Sequence, residues 1–438
     1  MIRTALSRAA PATVAARTSP KLLPSLLARS LPSRLLHDGT NANPVALQMI
    51  NYALSLARSH KSDESYGQAQ LVLEQCLSSQ PSEGQDLASH NSRAMVLMAM
   101  STLLSERGKL DDAIDKLKKV EDLSSSSVGV RIAALEAVVG LHLELKQDHT
   151  SSVLADKCLE LAAKNDELEA SDPEGYTRAV AVKGLVELVH GNLGLCKDVA
   201  KGELFIREVE RNVEEVEEFT GSTALFFGEL LHARQSFEMA KKVYQKIIQN
   251  DSSNEEFSDR TALAAGNMSS DKVLLAATCT LGQLEAHLGN FGDAEEILTK
   301  ALTKTEEHFG SHHPKVGVVL TCIALMFRRK AIKEHSSSIL IQEGLYRKAI
   351  ELLKAPPFEA EGAETKVDRN DIVALARGGY AEVLCVQQNR KHQGEEMKKW
   401  AEAAWGNRRL SLAEALDVSN SDESLKVPIL DARISRVL

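Results

Sequence analysis

Aromatic residues make up only 4% of this chain of 438, and glycine (25) and proline (11) are sparse. A chain so poor in these residues and rich in Ala, Leu, Glu and Lys favours helices over sheets. Long hydrophobic runs are missing as well. Beyond the first residues no uninterrupted apolar stretch reaches the length of a bilayer span, so a membrane-embedded body is not expected. The six cysteines, at 76, 158, 196, 279, 322 and 385, form no CxxC pair and stand near no histidine ladder. That spacing gives no support for zinc, and each cysteine falls within an apolar helical pattern as a small buried thiol would.

Acidic residues are missing from one place only. Before Asp38 there are six basic residues (Arg3, Arg8, Arg17, Lys21, Arg29 and Arg34) and no acidic ones. Arginine spaced among Ala, Leu and Ser, broken by proline, has the character of an organellar transit peptide. Arg34-Leu35-Leu36 reads as a mitochondrial processing site. Residues 1–36 are therefore expected to be a leader, removed to leave a mature start near His37, with the mitochondrion as destination and the plastid as the alternative. The rest of the chain carries 46 basic against 61 acidic side chains, a net charge of about −15. A body that acidic repels phosphate backbones, so nucleic acid is not the expected ligand.

The chain is also not random along its length. Ala57, Ser101, Gly184, Gly228 and Gly282 are each followed, twelve residues later, by Ala69, Ala113, Cys196, Ala240 and Ala294. Further large or apolar residues follow at fixed offsets, as in Leu73 and Cys76, Leu117 and Val120, or Leu298 and Ala301. Looser copies start at Gly140, Ala324 and Ala381. Small residues at such spacing let two antiparallel helices approach closely, and large neighbours fill the space between consecutive pairs. One hairpin cannot bury its apolar face alone, so stacking is obligatory. The turns agree: "ERGKLDDA" and "LGNFGDAEE" put glycine at the end of one helix and an acid near the start of the next.

This pattern resembles the tetratricopeptide repeat family. The resemblance rests on Gly282, Gly289, Ala294, Leu298 and Ala301, with Pro81 where that family often closes a repeat, and it spans roughly residues 46 to 405. The stretch "ALTKTEEHFGSHHPKVGVVLTCIALMF" is similar to the kinesin-light-chain variety, whose Gly-x-x-His-Pro-x-Val joint is matched by Gly310, His313, Pro314 and Val316. The resemblance implies an all-α fold, a right-handed superhelical solenoid of about eight hairpins, acting as a non-enzymatic protein-interaction scaffold. Residues 406–438 form a tail, and "VPILDARISRVL" has apolar residues at helical spacing. It is expected to be a capping helix; the alternative is that it lies in the groove and competes with a partner.

Candidate sites are few. His308 and His312 are four apart and could share a metal, but no third ligand is visible and Pro314 interrupts the helix. "GNLG" and "GNFG" follow no strand, and no P-loop, GxSxG, HExxH or kinase pattern occurs. No catalytic residue, cofactor or metal is expected. The acid-rich "REVERNVEEVEEF" (207–219) reads as a solvated helix face, with a docking surface for a basic partner as the alternative. Positions inferred to face the groove are mostly uncharged, which suits an amphipathic helix or an extended apolar segment of another protein and argues against a carboxylate clamp. The contact surface is expected to run through Leu225, Glu229, His232, Cys279, Gln283 and Thr321. An organellar RNA-binding repeat protein is the second reading, opposed by the acidic body and the repeat spacings. An enzyme on a helical scaffold is the third, with no nucleophile or base to nominate. The leader reading has a direct check: terminal sequencing of the protein recovered from mitochondria should return a start near His37, and recovery of Met1 would refute cleavage.

Overall fold

In the computed structural model the small-residue landmarks fall on helices arranged as antiparallel pairs. The structure describes residues 41–80, 86–163, 173–193, 221–253, 263–354, 369–418 and 426–438. All of them belong to one compact unit, Gly39–Leu438. The expected leader lies outside the described residues, as do Cys196 and the acid-rich stretch at 207–219.

In chain order the helices are α1 (Pro44–His60), α2 (Asp63–Ser79), α3 (Leu87–Glu106), α4 (Leu110–Glu121), α5 (Val128–Glu144), α6 (Asp148–Ala163) and α7 (Pro173–Val189). They continue with α8 (Gly221–Ala233), α9 (Phe237–Ser253), α10 (Ser270–Leu288), α11 (Phe291–Phe309), α12 (Pro314–Lys333), α13 (Ile339–Lys354), α14 (Asn370–Cys385), α15 (Lys391–Ala404) and α16 (Leu412–Leu416). The pairs α1–α2, α3–α4, α5–α6, α8–α9, α10–α11, α12–α13 and α14–α15 each pack as a hairpin, and each hairpin stacks on its neighbours. The fold is an all-α helical-repeat solenoid.

The two helices of a hairpin have different surroundings, and their sequences show why. α4 buries a single stripe, Leu110, Ala113, Ile114, Leu117 and Val120, and turns its charged residues outward. α3 and α5, by contrast, are buried almost all round along their C-terminal halves. The second helices thus form the outer layer, and the first helices form an inner layer covered on its far side too.

Local signals set the ends. α1 is capped by Asn43, whose side chain accepts from the Val45 N–H at 2.9 Å, with Pro44 at the first helical position. Gly289, at φ +89, closes α10, a left-handed residue where glycine has no Cβ penalty. The histidine joint is structural. His313 caps α12 by accepting from the Lys315 N–H at 3.1 Å, and its ring stacks on Phe309 at 4.5 Å. His308 reaches the second hairpin, 3.6 Å from the Glu106 carboxylate, whereas His312 is exposed.

Two details depart from the sequence reading. Tyr244 and Leu298 fill space inside their own hairpins rather than between hairpins: a Cβ on Gly228 would stand 2.5 Å from the Tyr244 ring, and one on Gly282 would stand 2.6 Å from Leu298. Gly140 does not make room for α6. Its missing side chain admits Asn267 and Met268 from a short 3₁₀ turn, Gly266–Met268. This turn plugs the inner side of α3 and α5: the Gly266 N–H donates to Thr102 Oγ1 (3.1 Å) and Asn267 donates to the Gly140 carbonyl (2.9 Å).

Gly228→Ala is expected to lower stability by about 1–3 kcal/mol, because overpacking against a fully buried tyrosine outweighs the roughly 1 kcal/mol gained in helix propensity. Gly292→Ala, with nothing within 4 Å of the new Cβ, should be neutral or slightly stabilising. Thermal melts of the two variants check this, and equal effects would remove the close-approach account.

Candidate functional site

The inner layer presents ionisable side chains toward its axis: Glu144 on α5, Glu229 on α8, Lys315 on α12 and Asp371 on α14, each nine-tenths buried or more. Charges so placed cannot stay unpaired, because leaving water costs several kcal/mol per ion. Glu144 and Lys315 pair with each other, and residues 427–438 meet Glu229, Asp371 and Lys315.

Residues 427–438 do not form a helix. They fold as a hairpin of two short antiparallel strands, β1 (Leu430–Asp431) and β2 (Arg436–Val437), with Leu430 opposite Val437 and Asp431 opposite Arg436. The local chemistry explains the difference from the expected capping helix. Val427, Ile429, Ile434 and Val437 are β-branched, and Pro428 lacks a donor. The Asp431 carboxylate accepts from the Arg433 N–H at 2.7 Å to start the turn, and Ser435 takes a left-handed φ of 53° to close it. The helical spacing of the apolar residues also serves the two faces of a hairpin. Ile429, Ile434 and Leu438 join a cluster with Leu185, Phe226 and Met268, and Leu430 and Val437 join the cluster on the other side.

Side chains of the inner layer grip the hairpin's backbone. The Gln283 amide accepts from the Leu430 N–H (2.8 Å) and donates to the Leu430 carbonyl (3.0 Å), as a neighbouring strand would. Lys315 Nζ donates to the carbonyls of Ala432 and Arg433, both at 2.8 Å, and to Glu144 at 3.1 Å. Arg409, just before α16, donates to the carbonyl oxygens of Val427 (2.5 Å) and Leu438 (2.6 Å). Asn407 donates to the carbonyl of Val437 at 2.6 Å.

The hairpin's two arginines have acidic seats. Arg436 reaches Asp148 at 3.0 Å, Asp371 at 3.2 Å and the Leu143 carbonyl at 3.1 Å. Arg433, among the largest fully buried side chains, pairs with Asp431 at 3.0 Å and with Glu229. One guanidinium balances one carboxylate, so the second keeps its proton. Burial pushes the Glu229 carboxyl well above the ordinary carboxylate range; Arg433 opposes this and Asp431 adds to it. Burial works against the Arg433 charge, but Asp431 and Glu229 overcome it and hold the guanidinium protonated.

The six residues expected to form a contact surface are all buried on the inner layer, and they divide into three groups. Glu229 and Gln283 touch the hairpin directly. His232 and Cys279 meet side chains of neighbouring inner-layer helices: His232 Nε2 lies 2.8 Å from His287 Nδ1, and the Cys279 and Cys322 sulfurs are 3.6 Å apart. Leu225 is core, and Thr321 bonds back to the Gly317 carbonyl at 2.8 Å within its own helix. The expectation of a mostly uncharged groove is corrected, since Lys315, Glu144, Asp371 and Arg409 line it. None of these four stands at the fixed offsets from the small landmark residues that mark the groove-facing positions. Their signal was a charge within an apolar stretch, as at Lys315 between Pro314 and Val316.

Among the described residues no three His, Cys, Asp or Glu side chains converge as a metal site requires, and no helix is long and apolar enough to cross a membrane. Residues 274–315, covering α10, α11 and the histidine joint, match the tetratricopeptide repeat family, whose repeats generally mediate protein–protein binding. No curated protein matches the chain.

Burial depresses the pKa of His232, to about 3, and holds His287 and His313 well below the ordinary histidine value, with neighbouring cations adding to the effect. These three stabilise the fold above their unfolded pKa near 6.5, and their contribution is lost as pH falls through the folded values. Glu229 has the opposite sign. Its contribution is complete below the unfolded carboxylate pKa and is lost as pH rises through the raised folded value. Melting temperature should therefore fall below pH 6.5 in both the wild type and Glu229→Gln. The wild type should also lose stability as pH rises above the ordinary carboxylate pKa, where Glu229→Gln stays flatter. Parallel slopes of the two proteins on that rise would exclude a protonated Glu229.

Proposed function

We propose that this protein is a non-enzymatic interaction scaffold, an adaptor or assembly factor of the mitochondrion, that holds a segment of a partner protein on the inner face of its solenoid. The observation that carries the proposal is how the inner face treats the peptide it holds. It engages the backbone through Gln283, Lys315, Asn407 and Arg409, and a site that reads main chain accepts a peptide by its conformation and ends. The match of residues 274–315 to a repeat type that generally binds proteins supports the same reading. The basic, acid-free first residues support delivery to the mitochondrion.

The carbonyl oxygen of Leu438 accepts from Arg409, so a tag placed after Leu438 would extend the chain where it is held. Capture is better made with a tag placed in the link between α13 and α14. From gently solubilised mitochondria, such a bait is expected to bring down a protein partner in near-stoichiometric amount. A monomeric bait with no partner, or one that recovers RNA instead, would overturn the scaffold reading.

A further inference from the structure

We propose that Cys279 and Cys322 are an oxidisable pair that a small peroxide converts to an intramolecular disulfide, clipping together the two hairpins whose inner helices hold residues 427–438. The modification is independent of any partner the solenoid binds.

The two sulfurs belong to different repeats. Cys279 lies on α10 and Cys322 on α12, the inner helices of consecutive hairpins, 43 positions apart in the chain. Their Sγ atoms nevertheless stand 3.6 Å from one another, and both side chains are buried. A disulfide holds its sulfurs about 2.0 Å apart, so closing this pair moves each by about 0.8 Å, which small rotations about the Cα–Cβ bonds supply. The sulfurs are held by little else. The Gln283 amide reaches Cys279 Sγ at 3.6 Å, but its shorter bonds go to Leu430, at 2.8 and 3.0 Å. Apolar side chains would pack this contact equally well, whereas two thiols can make it covalent.

Access is the second observation. Cys322 lines a pocket of about 400 Å³, counting its open mouth, together with Gln283, His287, Met326, Arg329 and Leu430. Asp417, an exposed residue, also lines it, so the pocket reaches solvent. Cys279 is not on its wall and stands behind Cys322. This sets the order of reaction. The Cys322 thiolate attacks one oxygen of hydrogen peroxide and becomes a sulfenic acid; the O–O bond breaks, and hydroxide leaves with the thiol's proton as water. The Cys279 thiolate then attacks that sulfur, the S–O bond breaks, and a second water leaves. Two thiols have given two electrons to one peroxide. Burial pushes the Cys322 thiol well above the ordinary thiol range, and contact with Cys279 adds to this, so the first step is slow. A partner sulfur already in contact makes the second step fast, ahead of further oxidation of the sulfenic acid.

The test treats the full, folded and reduced chain with hydrogen peroxide, alkylates the remaining thiols in denaturant, and maps tryptic peptides without reductant by mass spectrometry. The expected product joins peptides 273–300 and 316–328, two hydrogens lighter than their sum, in at least about tenfold excess over any other cysteine pair. Met326 shares the second peptide, but its sulfoxide adds an oxygen without joining anything. The oxidised protein should melt about 3–8 °C higher than the reduced one, and dithiothreitol should reverse this, because the bond restrains a long loop of the unfolded chain. Cys279→Ala, shown to be folded by circular dichroism, should lose the joined product and send Cys322 on to its sulfinic acid. Half-buried Cys385 reports that the oxidant acted. Four results would overturn the proposal. Cys279 and Cys322 could both return as thiols after Cys385 has oxidised, or wild-type Cys322 could reach the sulfinic acid with no joined peptide. The joined peptides could form equally well from urea-unfolded chain, or the joined protein could melt no higher. None of these bears on whether organelle capture finds a partner.

Discussion

A charge inside a protein must meet its opposite, and part of the balance on the inner layer of this solenoid comes from residues 427–438. Asp371 meets Arg436, Lys315 meets the hairpin's carbonyls as well as Glu144, and the protonated Glu229 accepts from Arg433, whose charge Asp431 balances. These contacts join residues more than sixty positions apart and up to about two hundred. Removing one member of a buried ion pair such as Asp371–Arg436 typically costs about 3–5 kcal/mol. The first helices of the hairpins can be apolar nearly all round because the hairpin and the Gly266–Met268 turn cover their inner side.

A second charge cluster does the same for the N-terminal hairpins. The Glu106 carboxylate, wholly buried, receives Arg58 at 2.8 Å, Tyr66 at 3.0 Å and Lys272 at 3.4 Å. Burial opposes its ionisation, but Lys272 and Arg58 prevail and hold its pKa well below the ordinary value. Helices α1, α3 and α10 are thereby tied at one point, although they lie in three different hairpins. In a repeat protein whose units otherwise contact only their neighbours, such ties spread cooperativity along the array.

The scaffold reading and the filled inner face fit together physically. A groove lined with buried carboxylates and ammonium groups is unfavourable to leave open to an apolar partner. Held by residues 427–438, it is already neutralised in the free protein.

The twelve-residue ruler is local, and what is local was legible in one dimension: the helices, the hairpins, their stacking and the glycine stop at 289. Small residues at crossings and capping residues act within one or two hairpins, so their pattern survives in one dimension. It also singled out Glu229 and Gln283, one position after the glycines that mark their repeats, which the structure places against the terminal hairpin. The fate of the tail, the purpose of Gly140 and the charged lining were settled by long-range packing instead. Apolar residues of the tail at 429, 430, 434, 437 and 438 satisfy a helix and a hairpin equally, and Gly140 looks the same whether it faces α6 or Asn267. Each choice was made by a contact more than a hundred residues away, where no local periodicity carries information.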